Sequence, residues 1–253
     1  MALVADASAA DWADDDAMGD AADAFGIEIA PAQVSRTGRR SPGRRGASAR
    51  RAASSRTRPE KAVIGSGRVT EYVSSRAWTL DATGFWQAHR GAAQVYTDVV
   101  THWADVSPGD GAWDLYGGVG VFAAALASEV GSDGHVSSVE FSRRAAEDGR
   151  LALGDLSQVS FVPGRVERSM DALAQPVSAA VLDPPRAGAG RDVIEALAVR
   201  RPRTVVHVGC DPASFARDVS LYRAAGYELT DIRAFDAFPL TSHVECIGRF
   251  VRK

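Results

Sequence analysis

The chain reads as an α/β protein built on a mostly parallel sheet, closed by an antiparallel hairpin at its C-terminus. Three observations predict this. From Gly109 onward, short apolar runs alternate with helical patterns, the order that gives a parallel sheet covered on both faces. A glycine-rich turn in DLYGGVGVF (114–122) stands between the first apolar run and the first helical one. The last two apolar runs have no helix between them.

The elements follow in order. AWDLY (112–116) is the first strand and GVFAAALASEV (120–130) an Ala-rich helix. HVSSVE (135–140) and SRRAAEDGRLAL (142–153) are the next strand and helix. VSFVPG (159–164), AAVLD (179–183) and TVVHVG (204–209) continue the strands. PASFARDVSLYRAAG (212–226) is helical, with Gly226 as its stop. ELTDIRAFD (228–236) and HVECIGRFV (243–251), joined by AFPLTS, form the hairpin. No internal repeat is present.

The 253 residues suffice for one substantial domain with an appendage. Three segments are expected: 1–60, acidic then Arg-rich and without a core; 61–108, a lead-in; and 109–253, the catalytic domain. Residues 1–29 hold acids and no Lys or Arg, whereas Arg36 to Lys61 is nearly all Arg, Ser, Gly and Ala. That stretch lacks hydrophobic periodicity, so it is expected to be disordered, with phosphate contact as the functional alternative. No apolar run approaches the roughly 20 residues that span a bilayer. The acidic N-terminus lacks the basic region of a signal peptide. Two cysteines cannot form a disulfide framework or a four-cysteine metal site. A cytoplasmic protein with reduced thiols and no metal is expected, and a monomer.

The glycine turn offers a cofactor pocket. Gly117, Gly118 and Gly120 let the backbone turn tightly and approach a ligand, although Ala123 stands where a dinucleotide fingerprint has its third glycine. Glu140 ends the next strand 20 residues after Gly120, where a carboxylate can accept from two ribose hydroxyls. Nicotinamide and S-adenosylmethionine both remain open at this point. VLDPPRAG (181–188) separates them: Asp183 ends an apolar strand, two prolines stiffen the loop, and Arg186 follows. Asp-Pro-Pro on the fourth strand is a feature of class I methyltransferases, and so is the closing hairpin.

Taken together, GFWQAH, DLYGGVG, VLDPPRAG, VGCDPASFARD and FDAFPLTSHVE resemble, in order, the RNA uracil-C5 methyltransferases that make 5-methyluridine in bacterial tRNA and ribosomal RNA. The resemblance runs from about Val69 to Val251. It implies a class I, Rossmann-like methyltransferase fold, S-adenosylmethionine as cofactor and structured RNA as partner. It implies that Gln87, Tyr116, Glu140 and Asp183 contact the cofactor, that Cys210 is the nucleophile and that Glu245 is the proton-abstracting base. The family usually has Cys where Gly117 stands and Asn where Asp211 stands. Many members add a β-barrel RNA-binding domain, often with an iron–sulfur cysteine cluster; neither is expected in this chain, which looks like the catalytic domain with a foreign or truncated front.

The chemistry suits these residue types. Uracil C5 is too weak a nucleophile to attack a methyl sulfonium unaided. A thiolate adding to C6 makes C5 electron-rich, and a separate base then removes the C5 proton. A free thiol titrates near 8.5, so the thiolate needs help. The helix beginning at Pro212, with Asp211 as N-cap, is expected to supply part of it, and the Asp211 charge to work against it. Cys246 follows Glu245 in a strand and so points to the opposite face, as core. Phe85, Trp86 and Phe238 can stack on a base or pack in the core. Two other readings remain open: a catalytically silent RNA-binding remnant, and an amino-group methyltransferase that uses Asp-Pro-Pro but neither Cys210 nor Glu245.

Overall fold

A computed structural model of the protein describes residues 3–5 and 61–253, apart from Pro239 and Ser242. The expected disorder of 1–60 lies outside the described residues except at Leu3–Ala5. These form a strand, β1, antiparallel to β2 (Lys61–Ile64). The chain divides into two compact units: residues 1–69 with 81–83, and residues 70–80 with 84–253. In the first unit the amide of Ala82 donates to the carbonyl of Gly67 at 2.9 Å.

The second unit holds a seven-stranded sheet and the helices on its faces. Strands β3 (Arg68–Val73) and β4 (Arg76–Asp81) form a separate pair. Trp78 of β4 is buried and its indole Nε1 donates to the carbonyl of Val119 at 3.1 Å, which braces the glycine turn from outside. Helix α1 (Ala92–Ala104) has an apolar stripe at helical spacing: Ala92, Ala93, Tyr96, Val99, Val100 and Trp103 are all buried. It packs against β8, β9, β11 and helix α2. The expected lead-in thus contributes a helix to the same compact unit as the sheet.

The sheet strands are β5 (Gly111–Leu115), β6 (His135–Glu140), β7 (Val159–Pro163), β8 (Ala179–Leu182), β9 (Thr204–Gly209), β10 (Tyr227–Phe235) and β11 (Glu245–Arg252). Their spatial order is β10-β11-β9-β8-β5-β6-β7. The five strands from β5 to β9 run parallel, and β11 is antiparallel to both β9 and β10. The C-terminal hairpin is as expected, but its second strand inserts between β9 and β10 instead of lying outermost. Helices α2 (Val121–Val130), α3 (Arg143–Ala152), α4 (Val166–Ser169), α5 (Gly190–Arg200) and α6 (Pro212–Ala224) connect the strands. Residues of β5, β8 and β9 are wholly buried, as strands covered on both faces must be. Trp113, Leu115, Leu182, Ile194, Leu197 and Phe250 are among the side chains that fill one face.

Chain order reverses at β5, which has β6 on one side and β8 on the other. In open α/β sheets the crevice above such a reversal, at the carboxyl ends of the strands, is where ligands bind. Among the described residues no helix is long and apolar enough to cross a membrane.

Candidate active site

The glycine turn follows β5 immediately. Tyr116 adopts a left-handed backbone (φ 66°), unusual for a side chain of its size, and Gly118 (φ 56°) and Gly120 (φ 82°) follow in the same region. Gly120 is the N-cap of α2. A Cβ on Gly117 would lie 2.2 Å from Ser138 Oγ and 2.5 Å from an Asp114 oxygen. The Cys usual in the resembled family therefore has no room here, because Asp114 and Ser138 fill that space and bond to one another at 3.2 Å. Asp114 also accepts from the amide of Ala123 at 3.2 Å, while its Oδ1 has no partner. Burial drives its carboxyl up to about 7.

Glu140, at the end of β6, is tied to this turn. One oxygen accepts from the amide of Gly118 at 3.0 Å and the other from Ser142 at 2.5 Å. Each carboxylate oxygen keeps a lone pair for a further donor. Beside the turn opens a cleft lined by Phe85, Gln87, Tyr96, Tyr116, Gly118 and Asp183. Phe85 is 75% exposed at the cleft, so it is free to stack on a ligand, whereas Trp86 packs near Trp78 with ring centroids 6.3 Å apart. The structure brings Gln87, Tyr116 and Asp183 into one cleft and sets Glu140 at its glycine wall.

The reactive pair stands one strand further on. Cys246 pairs with Gly209 at the end of the β9–β11 ladder, so Glu245, which begins β11, and Cys210, which follows β9, lie at the same edge of the sheet on adjacent strands. Glu245 is 3% exposed, its Oε1 has no hydrogen-bond partner among the described residues, and burial lifts its carboxyl to about 7. Asp183 is pushed well above the carboxylate range by burial, then by the charges of Glu245 and Asp114. Cys246 is buried on the opposite face, as its place in the strand requires.

Burial raises the Cys210 thiol, as do Glu245 and Asp183, while a backbone hydrogen bond at Cys210 and then Arg186 pull it down. Asp211 does cap α6, its Oδ1 accepting from the amide of Ser214 at 2.7 Å. The opposing charges come from the acids across the sheet edge, which lie far from Cys210 in sequence. His243 sits near enough to Asp211 to hold its carboxyl down, behind the effect of the Ser214 amide.

Two groups escaped the sequence reading. Tyr96 lies in a helix that was not anticipated, although the spacing of Ala92, Ala93, Tyr96, Val99 and Val100 carries the signal. Asp218, in the VGCDPASFARD stretch, is buried and accepts from the amides of Ala189 at 2.7 Å and Gly190 at 3.4 Å. Its neighbour Arg217 donates to the carbonyl of Ala187. Helix α6, which begins beside Cys210, is thereby clamped to the loop that follows Asp183.

S-adenosylmethionine carries a sulfonium and an ammonium cation, an adenine ring and a ribose diol. The cleft fits that donor set. It ends on Asp183, an acid pushed up by burial first and then by two neighbouring acids, which a cation would relieve. Glu140 offers fixed acceptors for a diol, and Phe85 an open ring face. Among the described residues no group of three or more His, Cys, Asp or Glu gathers to hold a metal.

Comparison with known proteins agrees with this geometry. Residues 123–253 match the family described as tRNA (uracil-5-)-methyltransferase. An uncharacterized RNA methyltransferase of Corynebacterium diphtheriae is 42% identical over 202 residues, covering 76% of this chain and 48% of that protein. One of Corynebacterium efficiens is 45% identical over 196 residues, covering 75% and 46%. The chain spans about half the length of these curated relatives. Among solved structures, the tRNA (uracil-54, C5)-methyltransferase of Pyrococcus abyssi in complex with S-adenosyl-L-homocysteine superposes with a TM-score of 0.63 at 25% identity, covering 74% of this chain and 45% of that one.

Proposed function

The chain belongs to the tRNA (uracil-5-)-methyltransferase family, and from that premise we propose that it methylates C5 of a uridine in structured RNA, tRNA or ribosomal RNA, with Cys210 as nucleophile and Glu245 as base. The observation that supports this reading is the β9–β11 pairing, which ends at Gly209 and Cys246 and so leaves Cys210 and Glu245 at one edge of adjacent strands. A methyltransferase acting on an amino group has no use for a thiol and a buried acid at one edge.

Bound S-adenosylmethionine supplies the methyl group as a sulfonium. Gln87, Tyr116, Glu140 and Asp183 hold it, Glu140 through the ribose hydroxyls and Asp183 near its positive charge. The target base must leave its stack to reach Cys210. The Cys210 thiolate adds to C6, and the C5–C6 electron pair is released toward C5 and the O4 carbonyl. C5 takes the methyl group as the bond from that methyl to the cofactor sulfur breaks, its electron pair going to the sulfur to leave a neutral thioether. Glu245 then removes the proton from C5, the C5–C6 double bond re-forms and the bond from sulfur to C6 breaks.

The electrostatics suit this order. Cys210 and Glu245 repel as anions, so in the resting site ionisation of one opposes ionisation of the other. A cation beside Asp183 lowers the cost of both. The thiolate is therefore favoured when the cofactor is in place, which limits stray reaction of the thiol.

The test is methyl transfer in vitro. RNA from cells lacking this gene is incubated with the protein and labelled S-adenosylmethionine, then digested, and the nucleosides are identified by mass spectrometry. Label in 5-methyluridine is expected. Label on an amino nitrogen of a base, or no label, overturns the reading.

A further inference from the structure

We propose that Tyr96 donates a hydrogen bond through its hydroxyl to the O4 carbonyl of the target uracil, stabilising the charge that gathers there when Cys210 adds to C6. This rests on the function proposed above.

Tyr96 is 1% exposed, lines the Asp183 cleft, and has a hydroxyl with no hydrogen-bond partner among the described residues. Leaving a buried hydroxyl unpaired costs stability. A phenylalanine would pack as well against Phe235, whose ring centroid lies 5.2 Å away. The fold thus gains nothing from the oxygen.

The surroundings indicate what it faces. Tyr96 and Asp183 line one cleft, and the charges of Glu245 and Asp183 act on both Tyr96 and Cys210. Burial and those acids keep the phenol protonated, hence a donor. The ligand must then present an acceptor to it. In uracil, C6 and C5 are conjugated with the C4 carbonyl. When sulfur bonds to C6, the C5–C6 pair shifts and negative charge reaches O4; O2 lies outside that path. A neutral donor placed before the reaction strengthens its bond as this charge develops, the principle of an oxyanion hole. The proton stays on Tyr96, and the bond weakens again when C5 is methylated and the carbonyl returns.

The test is Tyr96→Phe in the full chain, assayed by the methyl transfer described above alongside the parent. We expect kcat to fall about 100-fold or more, as when one oxyanion donor is lost, with KM for S-adenosylmethionine and for RNA changed less than threefold. The thermal unfolding midpoint should equal or exceed that of the parent, because an unpaired hydroxyl has gone. A variant that turns over within threefold of the parent overturns the proposal while leaving Cys210 and Glu245 in their roles. So does a loss confined to KM, or one accompanied by a lowered midpoint, which would make the hydroxyl structural. A parent that labels no uridine C5 overturns the proposed function and this inference with it.

Discussion

Two buried polar clusters lie along the same sheet, and they are built differently. Under β9, His207 shares a hydrogen bond with the hydroxyl of Tyr222 at 3.1 Å, and Asp218 sits beside it accepting two backbone amides. Burial holds His207 neutral, with a pKa near 3, and its ring packs edge-on to Phe215 and Tyr222. At the carboxyl edge, by contrast, Tyr96, Asp114 and Glu245 each keep an oxygen without a partner among the described residues. The same low dielectric surrounds both clusters. In the first, the hydrogen bonds tie each group to the fold. In the second, capacity is held back at a cost in stability, which is the mark of groups that meet a ligand.

The largest effect on stability should come from breaking the satisfied cluster. Asp218→Ala leaves the part-buried amides of Ala189 and Gly190 without their acceptor and releases the loop after Asp183. A loss of about 3 kcal/mol is expected, or roughly 6–12 °C in the unfolding midpoint. A midpoint within 2 °C of the parent's would show that the clamp does not hold the fold.

The unsatisfied cluster should respond in the opposite sense. Burial raises the Glu245 carboxyl from its ordinary value of 4.5 to about 7 in the folded protein. Its contribution is fully present below the unfolded value and is lost as pH rises through about 7, because the buried acid must then ionise. Glu245→Gln removes that penalty. Near pH 8 it should stabilise the protein by up to about 3 kcal/mol, with little effect near pH 4, while turnover is lost. Thermal melts at the two pH values check this. Equal melts for parent and variant at both would place Glu245 in an ordinary environment.

A smaller effect is expected at the boundary between scaffold and site. Gly117→Ala drives a Cβ into Ser138 and Asp114, costing about 1–3 kcal/mol. Because Ser138 Oγ is the nearest obstacle, Ser138→Gly should recover part of the loss. A double variant no more stable than Gly117→Ala would mean that Asp114 alone blocks the position.

The comparison also explains what was legible in the sequence. The strands at 135–140 and 204–209 coincide with the expected bounds, because valines cluster there next to Gly134 and Gly209. The glycine turn, Glu140, Asp183 and Cys210 were visible because each ends a strand. Helices α1 and α5 were passed over: Val193, Ile194 and Leu197 lie inside a stretch rich in charge and alanine, so the apolar stripe is narrow. The position of Glu245 at the same edge as Cys210 depends on β11 inserting between β9 and β10, a long-range pairing that no local pattern states. The upward shift at Cys210 was missed for the same reason, since its acids come from β8 and β11. The resemblance supplied the roles, and the topology supplied the neighbours.

The most direct test of the central claim is to trap the bond between Cys210 and the RNA. Substrate RNA in which 5-fluorouridine replaces uridine is incubated with the protein and S-adenosylmethionine. Fluorine at C5 leaves Glu245 no proton to remove, so addition and methylation proceed but release stops. The account predicts a protein–RNA adduct that survives a denaturing gel, requires S-adenosylmethionine, and maps by peptide mass spectrometry to Cys210. Cys210→Ala should yield none, and Cys246→Ala should yield as much as the parent. An adduct on Cys246, or methylation of uridine C5 by Cys210→Ala at a rate near the parent's, would contradict it.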